Sequence, residues 1–334
     1  MKFGSIPIAE AEGAVLAHSV RMDGIAFRKG EIVTAERRLA MLNAGVTSVV
    51  AARLEEGDVG ENEAAFQLAE RLTGANLRQA APFTGRVNMF AEVAGLAVID
   101  ASAIDRVNAI DEDVTVATVP LYRAVAVGDM VATVKIIPFA IPGSMLKAAL
   151  AAAGDEPSLA VQPFRPMRIG VVSTTLPHLK PSTIAKTLRV LEARLQPTGA
   201  TIVAQEIVPH ETGALAKALG NMIEGSDALI AFGASAITDR RDVIPAAVEA
   251  IGGRIERFGM PVDPGNLLLL AERQGMPIIG APGCARSPKE NGFDWVLQRM
   301  LAGVPVRDED VRAMGVGGLL MEIPSRPQPR APGD

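Results

Sequence analysis

The clearest pattern in this chain is the alternation of short apolar runs with longer amphipathic segments after Pro166. Each apolar run predicts a buried strand, and each amphipathic segment between two runs predicts a helix. The predicted strands are residues 168–172, 200–208, 227–232, 254–258 and 277–281. The predicted helices are residues 183–195, 212–223, 291–301 and the segment that follows Asp242. This alternation implies βαβ units and therefore a mostly parallel sheet with helices on both faces, a three-layer α/β sandwich.

The pattern in the first half of the chain is less regular and indicates a smaller α+β region. Apolar, β-branched runs at residues 114–119 and 130–137 predict strands, whereas residues 61–72 and 144–153 have the spacing of helices. A turn is predicted at Asp23-Gly24, because glycine tolerates the left-handed conformations that turns require.

Proline and glycine cluster between Gly154 and Pro166, and the pattern changes afterwards. Such clusters are typical of domain boundaries. We therefore predict an α+β region over residues 1–160 and an α/β domain over residues 167–320. The proline-rich end, residues 324–334, is predicted to be a disordered tail or a linker.

Composition excludes some classes of function. Of the 334 residues, 49% are hydrophobic and 21% are charged, and the formal net charge is −5. The single Trp, the single Tyr and the lack of a basic stripe argue against nucleic-acid binding. No apolar run approaches the ~18 residues of a membrane span, and residues 1–8 lack the apolar core of a signal peptide. We therefore expect a cytoplasmic protein with no nucleic-acid or membrane partner.

Cysteine and histidine are too sparse to suggest a metal site. The single Cys284 rules out an intrachain disulfide, and no histidine lies near it in sequence. We therefore expect a small buried thiol rather than a nucleophile. The three histidines, His18, His178 and His210, are far apart in sequence, so no histidine-based metal site is expected.

Three segments are candidates for a binding site, because each follows a predicted strand and precedes a predicted helix. They are residues 173–183, 233–242 and 280–294. In parallel α/β sheets such segments meet at the carboxyl edge, where backbone amides and helix N-termini attract anions. We therefore predict an anion-binding site at this edge, against the alternative of solvated, self-paired loops.

Each segment supplies groups that suit an oxyanion. The first has hydroxyls, Lys180 and a helix N-cap predicted at Ser182 or Thr183. The second has the small residues 233–236 followed by the charged residues 239–242. The third supplies two cations and a hydroxyl, on Arg286, Lys289 and Ser287.

Two common nucleotide-binding motifs are missing from the expected places. No G-x-G-x-x-G follows the strand at 168–172, and the glycines at 315–318 do not open a βαβ unit. No G-x-x-x-x-G-K-[ST] is present either. Neither a nicotinamide-dependent dehydrogenase nor a P-loop protein is therefore expected.

Residues 167–303 resemble the molybdopterin-binding domain of molybdenum cofactor biosynthesis proteins. The segment 240–245, Arg-Arg-Asp-Val-Ile-Pro, is similar to the end of the family's glycine-rich loop. The turn at 281–283 is similar to the family's Leu-Pro-Gly turn, and residues 260–266 fall where a loop on the pterin side is expected. The resemblance implies the molybdopterin-binding type of α/β sandwich.

Within that family, the chain is most similar to a bacterial subgroup. There this domain precedes a molybdenum cofactor nucleotidyltransferase, often a cytidylyltransferase. The similar segments are residues 83–88, 133–139, 232–236, 282–289 and 291–295.

Two departures from the family pattern bear on catalysis. Where insertases and adenylyltransferases have Gly-Gly-[Thr/Val]-[Gly/Ser], this chain has Gly233-Ala234-Ser235-Ala236. An acidic Asp-Ser-Asn segment is replaced by residues 180–186, which carry lysines. The resemblance therefore implies the loss of a carboxylate that could hold Mg²⁺, whereas lysines in its place favour binding of an anion.

The resemblance implies that the chain binds molybdopterin or the molybdenum cofactor during cofactor biosynthesis or maturation. It implies that the pterin phosphate lies on the amides and hydroxyls of residues 233–235, and that Asp242 orients an arginine or binds a polar pterin edge. The residues expected to bind the ligand are Ser173, Thr174, Lys180, Ser182, Gly233, Ala234, Ser235, Arg241, Asp242, Pro282, Gly283, Arg286, Ser287 and Lys289.

Two alternatives remain open. One is enzymatic: nucleotidyl transfer to molybdopterin, such as adenylylation, or molybdate insertion, with Mg²⁺ and the catalytic residues Asp239 and Asp242. The other is a non-catalytic assembly module. The expected partners are molybdopterin, a nucleotidyltransferase domain or protein, and further copies of the chain in a homo-oligomer. No resident metal is expected.

Overall fold

The computed structural model describes residues 1–22 and 25–320. The predicted turn at Asp23-Gly24 and the predicted tail at 324–334 lie outside the described residues. The chain divides into two compact units, Met1–Gln162 and Pro163–Asp334. Across the described ranges, every helix is too short or too polar to cross a membrane.

The first unit is built from short antiparallel sheets and four helices. Its helices are α1 (Ala35–Asn43), α2 (Glu61–Leu72), α3 (Ala101–Asn108) and α4 (Gly143–Ala153). Its strands are β1 (Lys2–Pro7), β2 (Val15–Leu16), β3 (Val20–Met22), β4 (Ile25–Phe27), β5 (Ser48–Arg53), β6 (Asp58–Gly60), β7 (Leu77–Gln79), β8 (Arg86–Ala91), β9 (Gly95–Ile99), β10 (Val114–Thr118), β11 (Ala124–Val125), β12 (Met130–Ile136), β13 (Ala140–Pro142) and β14 (Leu159–Pro163). The helices predicted at 61–72 and 144–153 are confirmed.

The largest sheet of the first unit has the order β10-β12-β8-β7. Its strands alternate buried and exposed residues, as expected for an antiparallel sheet with one covered face. The covered face, with Val87, Met89 and Val134, packs on Leu68 of α2 in one core. A second, smaller core gathers around Met41 of α1.

The second unit is a three-layer α/β sandwich, which confirms the predicted fold class. Its strands are β15 (Arg168–Thr175), β16 (Thr201–Pro209), β17 (Ala228–Phe232), β18 (Arg254–Phe258), β19 (Leu269–Arg273) and β20 (Met276–Ala281). Its helices are α5 (Pro181–Leu195), α6 (Thr212–Met222), α7 (Val243–Ala250), α8 (Gly292–Leu301) and α9 (Asp308–Ala313).

The sheet of the second unit has the order β16-β15-β17-β20-β19-β18. The first four strands in this order are parallel, whereas β19 runs antiparallel to both β20 and β18. Successive residues of β15 face opposite layers. Val171 packs with Leu191 of α5 and Leu297 of α8, while Val172 packs with Leu219 of α6 and Val248 of α7. Burial on both faces explains why these strands have continuous apolar sequences.

Two elements of the second unit were not predicted from the sequence. Strand β19 forms a hairpin with β20, whose two-residue turn is Gln274-Gly275, and both turn residues have positive φ angles of 51° and 84°. Such a turn fits the twist of paired strands. Helix α9 is only six residues long, too short to show helical periodicity.

Strand β15 is longer than predicted, which corrects the placement of two candidate residues. The sequence put Ser173 and Thr174 in a loop, but both lie inside the strand and are buried. They remain in the sheet because Ser173 pairs with Ile207 on one side and Phe232 on the other.

The segment before β19 packs closely on the start of α8. Gly265 has a φ of +144°, and a side chain there would meet the backbone of Gly292 at 2.8 Å. The Gly292 amide donates to the carbonyl of Pro264 at 2.8 Å. This backbone contact covers the N-terminus of α8.

Replacing Gly265 with alanine should destabilise the second unit by about 2 kcal/mol, because the new methyl group would displace backbone rather than a flexible side chain. Gly220→Ala is the control, because nothing lies within 4 Å of a methyl group there and alanine favours helix by about 0.5–1 kcal/mol. Chemical denaturation should give changes of opposite sign. Equal changes would contradict the packing described.

Candidate functional site

Four strands of the second unit end side by side at the carboxyl edge of the sheet. Thr175 of β15 pairs with Pro209 of β16, and Phe232 of β17 pairs with Ala281 of β20. The segments that follow these strands therefore meet at one edge. Three of them are the segments predicted to form the site, and the fourth, after β16, was not predicted to take part.

The hydroxyl of Thr174 joins three of these four segments. Its Oγ1 accepts a hydrogen bond from the amide of Ala234 at 2.7 Å and lies 2.8 Å from Nδ1 of His210. Which of the two groups donates depends on the tautomer of His210, and the hydroxyl also lies 3.5 Å from the carbonyl oxygen of Phe232. Thr174 is almost completely buried, so these bonds satisfy a polar group that water does not reach.

The glycine-rich loop, residues 233–242, is held by its own compact turn. A side chain at Gly233 would lie 2.6 Å from the carbonyl oxygen of Ser235. Further along, Ile237 is buried, and a side chain at Gly280 of β20 would meet it at 2.9 Å. Gly233 therefore serves the packing of the loop itself, whether or not a ligand is bound.

The bond between Thr174 and Ala234 changes which amides are available to a ligand. The sequence predicted that the amides of residues 233–235 would bind a phosphate, but the Ala234 amide already has an acceptor. Among the described residues, no group accepts from the amides of Ser235 and Ala236. An anion would therefore find its donors on Ser235 and Ala236.

Asp242 has a structural position. Its side chain caps α7, with Oδ1 accepting from the Val243 amide at 2.8 Å and Oδ2 from the Thr238 amide at 3.2 Å. Both oxygens of Asp242 thus hold backbone of the loop, and among the described residues no arginine pairs with it; that it orients an arginine or binds a polar pterin edge stays a prediction.

Asp239 pairs with an arginine instead. It accepts from Arg241 Nε at 2.9 Å, and this guanidinium lowers the pKa of the carboxyl. Both side chains are largely exposed, at 54% for Asp239 and 91% for Arg241. This part of the loop matches the alternative of a solvated, self-paired turn.

Arg286 is the most unusual charged group at this edge. Its Nη2 donates to the carbonyl of Gly233 at 2.6 Å, which joins the third segment to the glycine-rich loop. Its Nε is buried and has no hydrogen-bond partner among the described residues. No carboxylate of the described chain forms an ion pair with it, and burial lowers the pKa of its guanidinium. A partly buried cation with an unused donor favours an anion beside it.

Arg194 of α5, which the sequence did not single out, organises the third segment. It forms an ion pair with Asp294 and donates to the carbonyls of Ala285 and Ser287 at 2.8 and 2.7 Å. The Arg194 and Asp294 side chains are 10% and 11% exposed. The sequence gave no sign of this role for Arg194, because an arginine in an amphipathic helix is normally solvated.

The start of α8 is unsuited to an anion. Asn291 and Asp294 form a capping box, in which Asp294 accepts from the Asn291 amide at 2.9 Å. Asn291 is buried, and Asp294 places a carboxylate at the helix N-terminus. The donors of this terminus are therefore already satisfied.

The remaining predicted residues lie around the same edge with different exposures. Helix α5 begins at Pro181 with Lys180 as N-cap and no side-chain cap, so the predicted caps at Ser182 or Thr183 are wrong. Lys180 and Ser182 are exposed, as are Gly283 and Lys289, while Ser287 is half-buried and Pro282 is buried. Ser173 faces a separate cavity beside α5.

His210 is the other residue that sequence reasoning missed. It follows β16, and its ring contacts Thr174, which is 36 positions away along the chain. An isolated histidine has no spacing signal, so only the strand order places it here. Among the described residues, no group of three or more histidine, cysteine or acidic side chains is arranged to hold a metal ion.

Thr174→Val should destabilise the second unit by about 1–3 kcal/mol, because the amide of the half-buried Ala234 loses its acceptor. It should also raise the hydrogen-exchange rate of that amide. Thr174→Ser keeps the hydroxyl and should preserve the protection of Ala234. If valine and serine gave the same exchange rate, the bond would not hold the loop.

Asp242→Ala should destabilise the protein by about 1 kcal/mol, the usual effect of losing an N-cap. Asp239→Ala should leave the free energy of unfolding unchanged within error, because its ion pair is solvated. Urea denaturation of the two variants side by side measures the difference. A larger loss for Asp239→Ala would contradict the assigned roles.

Among the comparisons with known proteins, one family model matches the part of the chain that forms this edge of the sheet. Residues 171–307 match the model of a family described as "Probable molybdopterin binding domain". Residues 5–53 match a family described as "Domain of unknown function (DUF8806)". None of the curated proteins is significantly similar to the chain in sequence.

Three solved structures are weakly similar to the whole chain. A molybdopterin biosynthesis MoeA protein from Pyrococcus horikoshii matches at 15% identity with a TM-score of 0.32, over 91% of this chain and 76% of its own. A second structure, of MoeA from Pyrococcus horikoshii OT3, matches at 11% identity with a TM-score of 0.27, over 91% of this chain and 74% of its own. A molybdenum cofactor biosynthesis protein from Pyrococcus furiosus matches at 10% identity with a TM-score of 0.23, over 90% of this chain and 61% of its own. At these values the likenesses support no conclusion about function.

The family match covers β15 from Val171 onward, the glycine-rich loop and Arg286. Residues 171–307, about two fifths of the chain, are therefore similar to the molybdopterin-binding family.

Proposed function

We propose that the second unit binds molybdopterin at the carboxyl edge of its sheet, as a step in molybdenum cofactor biosynthesis or maturation. The observation that carries this proposal is Arg286, a partly buried cation with an unused Nε donor and no carboxylate partner among the described residues. The family of residues 171–307 supports molybdopterin as the ligand, and its terminal phosphate is the anion that would pair with Arg286.

The residues at this edge fit a phosphate. Arg286 supplies charge, and the amides of Ser235 and Ala236 supply backbone donors. Lys180 adds a second, exposed cation across the edge. The phosphate is expected on the Ser235 side of the loop, because the Asp242 carboxylate caps the N-terminus of α7 and would repel an anion there.

The same geometry supports binding without nucleotidyl transfer. Mg²⁺ on reacting phosphates needs carboxylate oxygens that are free to coordinate. Both oxygens of Asp242 accept backbone amides, and Asp239 is paired with Arg241. We therefore propose that any transfer step is performed by a separate nucleotidyltransferase domain or protein that receives the cofactor. Asp239 and Asp242 would then have no catalytic role.

Arg286→Gln should weaken molybdopterin binding about 10- to 100-fold, since a charge-assisted hydrogen bond contributes about 1.5–3 kcal/mol. The affinity of the Arg286→Lys variant should lie between those of the original protein and Arg286→Gln, because lysine keeps the charge but loses the planar guanidinium. Arg189→Gln, which removes an exposed arginine of α5, is the control. Isothermal titration together with thermal unfolding separates lost affinity from lost fold. Unchanged affinity in a folded Arg286→Gln protein would rule out this placement of the phosphate.

Incubation of the chain with molybdopterin, Mg²⁺ and ATP or CTP should yield no nucleotidylated pterin, because the available carboxylates are engaged. Adding a purified molybdenum cofactor nucleotidyltransferase should restore the product. Mass spectrometry of the pterin and an assay of released pyrophosphate measure both outcomes. Pyrophosphate release by the chain alone, abolished in Asp242→Asn, would establish the enzymatic alternative instead.

A further inference from the structure

A large cavity of the second unit lies away from the proposed molybdopterin site. It has a volume of about 870 Å³ and is lined only by residues of the second unit. Its lining includes Met167, the residue before β15, and Pro277, the second residue of β20. It also includes Asp227, the residue before β17. The cavity is therefore at the amino-terminal edge of the sheet, opposite the edge that carries Arg286.

The floor of this cavity is apolar. Leu270 of β19 and Val296 and Met300 of α8 line it, and all three are at least nine-tenths buried. Half-buried Val304 and Val306 extend the apolar wall toward solvent. Volumes of roughly 300–1,000 Å³ with an apolar lining are typical of small-molecule sites.

The carboxylates around the cavity are all paired with arginines. Asp227 accepts from Arg168 Nη2 at 2.9 Å, and this pairing lowers the pKa of Asp227. Glu256 and Glu272 both pair with Arg254, at 2.5 and 3.2 Å. Asp227 is therefore balanced by Arg168, whereas Glu256 and Glu272 share one guanidinium and keep one negative charge in excess on β18 and β19.

Two guanidiniums of the lining are left over. Arg165 forms no ion pair with any carboxylate of the described residues, and Arg307 approaches only Glu309, at 4.0 Å between two exposed side chains. The guanidinium of Arg165 packs against Gly303, where a side chain would collide with it. These two cations lie in the segments that precede β15 and follow α8, whereas the excess negative charge lies on β18 and β19.

We propose that this cavity is a second ligand site, which takes a small amphipathic anion. The apolar body of the ligand lies on Leu270, Val296 and Met300, and its carboxylate, sulfonate or phosphate lies at Arg165 and Arg307. The proposal is independent of molybdopterin binding, because it uses the opposite edge of the sheet and none of the same residues.

Anilinonaphthalene sulfonate is a suitable probe, because it joins an apolar ring system to one anionic group. Its fluorescence should rise on titration of the folded chain, with one site per chain. Arg165→Gln should weaken binding about tenfold, as expected for one charge-assisted contact. Arg28→Gln, which removes an exposed arginine of the first unit, is the matched control and should have no effect.

Val304→Phe tests the location independently, because the larger ring occupies the cavity. This substitution should weaken binding of the probe while leaving the midpoint of thermal unfolding and the affinity for molybdopterin unchanged. The uncharged parent anilinonaphthalene should bind at least tenfold more weakly than the sulfonate. Equal loss in Arg28→Gln and Arg165→Gln, no effect of Val304→Phe in a folded protein, or equal binding of the uncharged probe would each overturn the proposal. A failure of molybdopterin to bind would leave these measurements unaffected.

Discussion

The parallel pairing of β15 with β16 on one side and β17 on the other is the constraint on which the second unit depends. β15 is covered by helices on both faces, so every polar group it carries must be satisfied inside the protein. The middle of the strand, residues 169–172, avoids this cost by being apolar. Near the end of the strand, the buried hydroxyl of Thr174 is satisfied by hydrogen bonds with the Ala234 amide and with His210. The conformation of the glycine-rich loop is therefore tied to the sheet.

The charges at the carboxyl edge follow from the same requirement. Carboxylates near buried backbone are used to satisfy amides, as Asp242 does for α7 and Asp294 for α8. Arg194 in turn satisfies carbonyls of the third segment. Arg286 is the exception, because one of its buried donors is unused. The acidic groups of the edge are engaged in structural hydrogen bonds, which is why we propose anion binding rather than metal-dependent transfer at this edge.

A similar balance of charge holds at the opposite edge of the sheet. Acidic residues there are paired with Arg168 and Arg254, and Arg165 is left beside an apolar cavity. The two edges differ in their lining. The carboxyl edge offers backbone donors and hydroxyls, which suit a phosphate, whereas the amino-terminal edge offers an apolar floor, which suits a ligand with a substantial apolar body.

The sequence by itself determined the layered α/β architecture and the elements with strong periodicity. Continuous apolar runs such as that in β17, and amphipathic spacing such as that in α2, depend on local burial, which the sequence records directly. The meeting of the segments after β15, β17 and β20 also followed, because parallel strands end at a common edge. Arg286 was found from its residue type and its place after a strand.

Only the tertiary structure decided which groups at that edge are already bonded. His210 contacts Thr174, which is 36 positions away in sequence. Arg194 contacts Asp294 of the third segment, which is 100 positions away. Hydrogen bonds of this kind depend on strand order and helix packing, which leave no periodic signal. For the same reason the structural role of Asp242, the closed turn at Gly233 and the cavity at the opposite edge could not be predicted. They result from distances between residues that are remote in sequence.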